Sequence, residues 1–147
     1  MTRYPRYLLF AFITLFVAAC GGKPEAAPPV EEDAPVAARV FFMQPTDAAV
    51  LPPTSQVVMG YEGLIVQPAG EVVEGAGHMH ILVDTGFIPA GQVIPQDDQH
   101  LHFGTGAVEA ELTLTPGLHT LRLQFADGTH TALEGDAYRD EIQVTVQ

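Results

Sequence analysis

AVEAELTLTPGLHTLRLQFADG, residues 107–128, is the stretch that decides the fold class of this chain. Its first half places apolar side chains at every second position: Val108, Ala110, Leu112 and Leu114. Glutamate and threonine fill the positions between them, so one face of the segment is apolar and the other is polar, as in a half-buried β-strand. The Pro-Gly step at residues 116–117 predicts a turn into a second strand.

Short β-rich segments with turn signals between them lie on both sides of this stretch. They occupy residues 38–45, 55–63, 78–84 and 140–147. No helical period longer than two turns is visible. Short strands that recur at such spacings, with proline and glycine between them, are typical of two packed antiparallel sheets. We therefore predict an all-β chain that folds as an antiparallel β-sandwich.

The N-terminal segment has a different composition. Two arginines precede an uncharged apolar run at residues 7–19, which is shorter than the roughly 20 residues that span a bilayer. The run ends in VAAC at residues 17–20, which resembles the lipobox of bacterial lipoproteins, where a cysteine is lipidated after cleavage. We expect a lipoprotein signal peptide at residues 1–19 and a lipid anchor at Cys20. A plain signal peptide, or a short anchor with a free thiol, is the alternative.

Residues 20–38 combine the lipidated cysteine with a run of proline, alanine, glycine and acidic residues. Such a run has no apolar period that could repay the entropy of ordering it, so we predict a flexible linker. Gly21 follows the cysteine in place of the acidic residue that, by resemblance, retains lipoproteins in the inner membrane. We therefore expect a membrane-anchored protein on the outer membrane, facing the periplasm, with a single sandwich domain at residues 39–147.

The charge balance narrows the possible partners. The chain has 18 acidic and 6 basic residues, for a formal net charge of −12, and no stretch forms a basic stripe. Nucleic acid is therefore excluded as a partner. Because Cys20 is the only cysteine, a metal site in the domain would have to use histidine, methionine or carboxylate ligands.

Two His-x-His pairs are the most informative chemical feature. His78 and His80 begin the apolar run HMHILVD, and His100 and His102 lie in QHLHFG. Strand alternation puts Met79, Ile81 and Val83 on one face, so it assigns the histidines to the outer face. Imidazoles two residues apart on a strand can reach one ion, and two paired strands would bring four imidazoles together. We predict a metal site at these four histidines.

Four nitrogen ligands suit Cu(II) or Zn(II), and we favour copper because the chain is expected to be exported and is poor in cysteine. Asp84 and Glu74 are predicted to hydrogen-bond the free ring nitrogens. His130 follows a turn, is exposed by pattern, and is a possible additional ligand. His119 shares a strand face with core leucines, so we predict a buried, hydrogen-bonded structural role for it. The methionines Met43, Met59 and Met79 are predicted to lie in the core.

Two parts of the chain resemble known families. VFFMQPTDAAVLPPTSQVVMG at residues 40–60 and PGLHTLRLQFADG at residues 116–128 resemble strand pairs of bacterial immunoglobulin-like domains. Together with GHMHILVDTGFIPAG at residues 77–91 and HLHFG at residues 100–104, they resemble a family of small exported bacterial proteins catalogued as a domain of unknown function. The resemblance implies an immunoglobulin-like sandwich, and it implies no activity.

These observations leave three hypotheses for the function of the protein. The first is a metal chaperone, buffer or sensor, with copper favoured and zinc possible. The second is an interaction module that binds an envelope protein or a glycan without metal, through the loop at residues 85–98 with Phe87 and Ile88 exposed. The third is a pH sensor without metal. We predict no enzyme, because no nucleophile elbow, phosphate loop or carboxylate pair is present; a copper redox activity is the open alternative.

Overall fold

The computed structural model describes residues 36–147. The predicted signal peptide, Cys20 and most of the predicted linker lie outside these residues. The regular structure of residues 36–147 consists of β-strands and one short 3-10 turn, Asp136–Tyr138. No helix in this part of the chain is long and apolar enough to cross a membrane. The prediction of an all-β chain is confirmed.

The strands form two sheets. The smaller sheet has the order β1 (Arg39–Gln44), β3 (Thr54–Glu62), β7 (Glu109–Thr113). The larger sheet has the order β2 (Ala49–Leu51), β9 (Arg139–Val146), β8 (Gly117–Ala126), β5 (Ala76–Val83), β4 (Ile65–Val66). A further strand, β6 (His100–His102), also pairs with β5. All neighbours are antiparallel except β2 with β9 and β4 with β5.

This arrangement is an immunoglobulin-like sandwich. The order β1-β3-β7 corresponds to strands A, B and E of that fold, and β9-β8-β5 corresponds to G, F and C. The core between the sheets comes from alternate residues of each strand, such as Met59 of β3 and Met79 of β5. Met43 is 55% exposed, so its predicted core position is wrong. Phe42 already points inward, and alternation turns the next side chain out.

A second, smaller apolar layer covers the other face of the larger sheet. Ile94, from the loop between β5 and β6, is buried with Ala126 and Ala132, and Ile88 packs against them. The side chain of Gln124 fastens the loop, because its amide accepts from the backbone N–H of Ile88 at 3.0 Å and donates to the Ile88 carbonyl at 2.8 Å. The outer face of β5 is therefore closed off from solvent beneath this loop.

Candidate metal centre

His78 and His80 lie on β5, on the face that points away from the sandwich core. Their neighbours Met79 and Ile81 fill the core, so alternation directs both imidazoles outward, as predicted. They are nevertheless buried, with exposures of 0% and 1%. The sequence pattern assigned them to the outer face of the strand, and the loop that covers this face removes them from water.

The pairing of β5 with β6 adds a third imidazole. The antiparallel register places His102 directly opposite His80. The ring centre of His102 lies 5.0 Å from that of His78 and 5.1 Å from that of His80. One ring nitrogen from each of these three histidines lies within 4.8 Å of the other two. The two His-x-His segments are therefore adjacent strands.

His130 brings a fourth ring to the same place, although it comes from the turn after β8. Its ring centre lies 4.6 Å from His102, 4.9 Å from His78 and 6.0 Å from His80. The sequence left open whether this hairpin end would meet the strand of His78. It does meet it, and His130 is half-buried rather than exposed.

The Nε2 atoms of the four rings form two close pairs. Nε2 of His78 lies 3.1 Å from Nε2 of His80, and Nε2 of His130 lies 3.0 Å from Nε2 of His102. With metal–nitrogen bonds of about 2.0 Å, two ligands are about 2.8 Å apart at a right angle and about 3.3 Å apart at a tetrahedral angle. Both observed separations fall in this range. The ring nitrogens of His78, His80 and His102, which lie within 4.8 Å of one another, therefore fit one transition-metal ion, and His130 adjoins this set through the Nε2 atom of His102.

The environment keeps the buried rings neutral. Burial, and after it repulsion from the neighbouring imidazoles, lowers the pKa of His80 to about 3 and that of His78 to about 4. Burial also lowers the pKa of His102, with a further contribution from His130. Neutral imidazoles carry a free lone pair, which is the form that binds a metal. At neutral pH an ion would not have to displace protons from these three rings.

His100 does not join the four clustered rings, contrary to the prediction. The register pairs it with Leu82, two residues beyond His80 and four beyond His78 on β5. Its Nδ1 lies 2.8 Å from Oδ1 of Asp97, which fixes the ring outside the cluster. Its Nε2 is buried and has no hydrogen-bond partner among residues 36–147. The cluster of imidazoles in the structure therefore contains His130 in place of His100.

The predicted hydrogen bonds from Asp84 and Glu74 to the rings of the clustered histidines are not found among residues 36–147. The Nδ1 atoms of His78 and His80 have no hydrogen-bond partner within the described chain. Asp84 lies four residues beyond His80, about 13 Å along an extended strand, and pairs with His119 instead. Glu74 is exposed in the turn before β5. Packing, rather than carboxylates, holds these two rings.

His119 has the buried, hydrogen-bonded position predicted for it. It is 9% exposed, with Nδ1 2.7 Å from Oδ2 of Asp84 and Nε2 2.7 Å from the carbonyl oxygen of Thr115. The hydrogen bond to the Thr115 carbonyl, and then the one to Asp84, raise its pKa. Because both ring nitrogens face oxygen acceptors, this imidazole is not a metal ligand.

Two positions that shape the cluster were not identified from the sequence. Gly104 leaves room for His102, because a Cβ atom there would lie 2.2 Å from Nε2 of that ring. Asp127 holds the turn that presents His130. The sequence does show a glycine after a His-x-His segment and an Asp-Gly-Thr turn before a histidine. These features indicate a role in the cluster only when it is known which histidine rings lie close together.

The comparisons with known proteins agree with the resemblance noted in the sequence. The model of the family described as Domain of unknown function (DUF4399) matches residues 57–147. The chain belongs to this family. The matched region includes all four clustered histidines and begins within β3. Neither a curated protein nor a solved structure matches the chain.

Proposed function

We propose that this protein binds one transition-metal ion through His78, His80, His102 and His130, and acts as a metal chaperone, buffer or sensor. Copper is the favoured metal and zinc is the alternative. The observation that supports this proposal is the convergence of four imidazoles with Nε2–Nε2 separations of 3.1 and 3.0 Å. A solvated histidine-rich strand would not bring rings from three separate segments together in a largely buried place.

The composition of the donor set supports a borderline metal. Imidazole nitrogen suits copper and zinc, whereas calcium and magnesium require oxygen ligands. Cys20, the only thiol of the chain, lies in the N-terminal segment. Of the two candidates, Cu(II) prefers near-right angles and Zn(II) prefers tetrahedral angles. The separations of 3.1 and 3.0 Å lie between the values for these two geometries, so the preference for copper rests on the expected export of the chain and on its single cysteine.

The proposed place of action is the periplasmic side of the outer membrane. Support for it comes from the lipobox-like VAAC with Cys20 and from the proline-rich segment that follows. An acidic chain with a net charge of −12 would also attract metal cations to its surface. A tether of this kind would hold a metal-binding domain near the membrane, where it could exchange the ion with an envelope protein.

Calorimetric titration of the purified full chain with Cu(II) and Zn(II) at neutral pH tests the proposal. We expect one ion per chain, and we expect the double variant His80→Ala plus His102→Ala to weaken binding by about 100-fold or more. His119→Gln is the matched control, because it changes a buried histidine outside the cluster, and its affinity should equal that of the wild type. Equal affinity in the double variant and the wild type would refute the proposal.

The structure offers less support for the second hypothesis, an interaction module that binds a partner without metal through the loop at residues 85–98. Phe87 is half-buried, with the guanidinium groups of Arg122 and Arg139 5.5 and 5.6 Å from its ring centre. Ile88 packs into the apolar layer with Ile94. Capture of a partner from envelope extract with equal yield in the presence and absence of a chelator would favour this alternative.

A further inference from the structure

The fourth ring of the cluster depends on an unusual turn. His130 has a backbone φ of 70°, in the left-handed region that residues other than glycine seldom adopt. Such a conformation costs free energy and persists only where the surrounding structure imposes it. Gly128, two residues before His130, packs so closely that a Cβ there would lie 2.2 Å from the carbonyl oxygen of Glu71. The backbone at Glu71 therefore limits the movement of this turn on one side.

One carboxylate oxygen fastens this turn from within. Oδ1 of Asp127 accepts hydrogen bonds from the N–H of Thr129 at 2.8 Å, from its hydroxyl at 2.8 Å, and from the N–H of Thr131 at 2.9 Å. The N–H of His130 donates to the Asp127 carbonyl at 3.0 Å, and the N–H of Asp127 donates to the Thr131 carbonyl at 3.0 Å. The residues on both sides of His130 are thus bound to the same side chain.

We propose that Asp127 is a positioning residue of the metal site, which acts by holding His130 where its ring reaches the ion. This inference rests on the proposed function. Three donors of the turn form hydrogen bonds to Oδ1 of Asp127, so the role of this oxygen is to fix the backbone of the turn. Without that oxygen, His130 would leave the left-handed conformation and its ring would leave the cluster. Metal affinity therefore depends on a side chain that does not bind the metal.

Two substitutions separate the oxygen acceptor from the negative charge. Asp127→Asn keeps an oxygen that can accept the same three hydrogen bonds, whereas Asp127→Ala removes it. In the full chain, titrated with Zn(II) against a chromophoric chelator, we expect the alanine variant to bind about 10-fold to 100-fold more weakly. We expect the asparagine variant to stay within about threefold of the wild type, because the turn is kept. Equal weakening in both variants would overturn the positioning role.

A double-mutant cycle with His130 excludes a general structural effect. In a His130→Ala background, Asp127→Ala should change the affinity by less than about twofold, because the ring that it positions is gone. Undiminished weakening in that background would overturn the inference. The control is Asp47→Ala, at a position outside the cluster. The Asp47 carboxylate likewise accepts a hydrogen bond from a backbone N–H, that of Gln143. The affinity of this control variant should equal that of the wild type.

Thr129→Val supplies a test that leaves Asp127 in place. It removes only the hydroxyl donor, so we expect a weakening of about threefold, in keeping with one net hydrogen bond. If Asp127→Ala does not fold, an absence of weakening in Thr129→Val would overturn the inference. If the wild type binds neither Cu(II) nor Zn(II), the proposed function fails as well. If the wild type binds and Asp127→Ala binds equally well, only the inference fails.

Discussion

His80 and His119 are both buried imidazoles on the larger sheet, yet their surroundings are opposite. His119 faces a carboxylate and a carbonyl, one at each ring nitrogen, and its pKa is raised. His80 faces other imidazoles, its Nδ1 has no partner within residues 36–147, and its pKa is lowered to about 3. Oxygen acceptors on both sides stabilise a bound proton. Imidazoles that converge without a carboxylate acceptor leave lone pairs that a cation can bind.

The acid sensitivity of the metal-free protein is the largest expected consequence of this difference. The pKa of His80 is lower in the folded chain than the unfolded value of about 6.5, so the unfolded chain binds more protons below that pH. Stability is therefore lost as pH falls below about 6.5. At about pH 5 one such histidine costs about 2 kcal/mol. His80→Leu removes this contribution and should flatten the dependence of unfolding free energy on pH.

Urea denaturation in the presence of a chelator, between about pH 7 and about pH 5, measures this effect. Leucine is apolar and similar in volume, so the absolute stability of the variant is less informative than the slope of its pH dependence. Wild-type and His80→Leu curves that run parallel would contradict a neutral, buried His80. Addition of Zn(II) to the wild type should raise its stability at neutral pH and should do so much less in the variant.

The space beside His102 is expected to have the next largest effect. A Cβ at position 104 would lie 2.1 Å from Cε1 of His102 and 2.2 Å from its Nε2, and the ring would have to move. Gly104 has no positive φ, so alanine is compatible with its backbone. We expect Gly104→Ala to weaken metal binding by about 10-fold or more, or about 1.4 kcal/mol, measured by competition titration.

Gly86→Ala is the matched control for this substitution. A Cβ at Gly86 meets no atom within 4 Å, and this glycine also lacks a positive φ. The affinity of the control should equal that of the wild type. If Gly104→Ala binds as tightly as the control, His102 does not need its present position and the proposed ligand set would have to be revised.

The sequence was sufficient for the fold because strand alternation is a local property. Val108 to Leu114 and the run from Met79 to Val83 each show which face is apolar, and the structure buries Met79, Ile81 and Leu112 accordingly. Met43 was assigned wrongly because the register of β1 was not evident. That register shifts between Phe42 and Gln44, which only the pairing with β3 reveals.

The site was predicted only in part, because it depends on contacts between distant segments. Alternation assigned His78 and His80 to one face, but the choice between His100 and His102 needed the register of β6. His130 could not be placed, since a left-handed residue in a turn has no periodic signal. The burial of the cluster depends on the loop that carries Ile94, whose path over the sheet is set by tertiary contacts.

The smallest expected effect on stability concerns His119, the second imidazole of the comparison, which forms an ion pair with Asp84. The raised pKa of His119 means that its contribution is fully present below about pH 6.5 and is lost as pH rises through the folded-state value. Partial burial acts to raise the pKa of Asp84, but hydrogen bonds from Thr120 and His119 lower it overall, so its contribution is lost only in acid. Their joint contribution is therefore present from about pH 4 to about pH 6.5.

His119→Gln keeps a hydrogen-bond donor and removes the charge. We expect it to lower the free energy of unfolding by about 1 kcal/mol near pH 5.5 and by less near pH 9, measured by urea denaturation with a chelator present. The sign of this pH dependence is opposite to that of His80→Leu, which gains relative to the wild type as pH falls. If both substitutions shifted stability with pH in the same direction, the two imidazoles would not differ in protonation as their surroundings indicate.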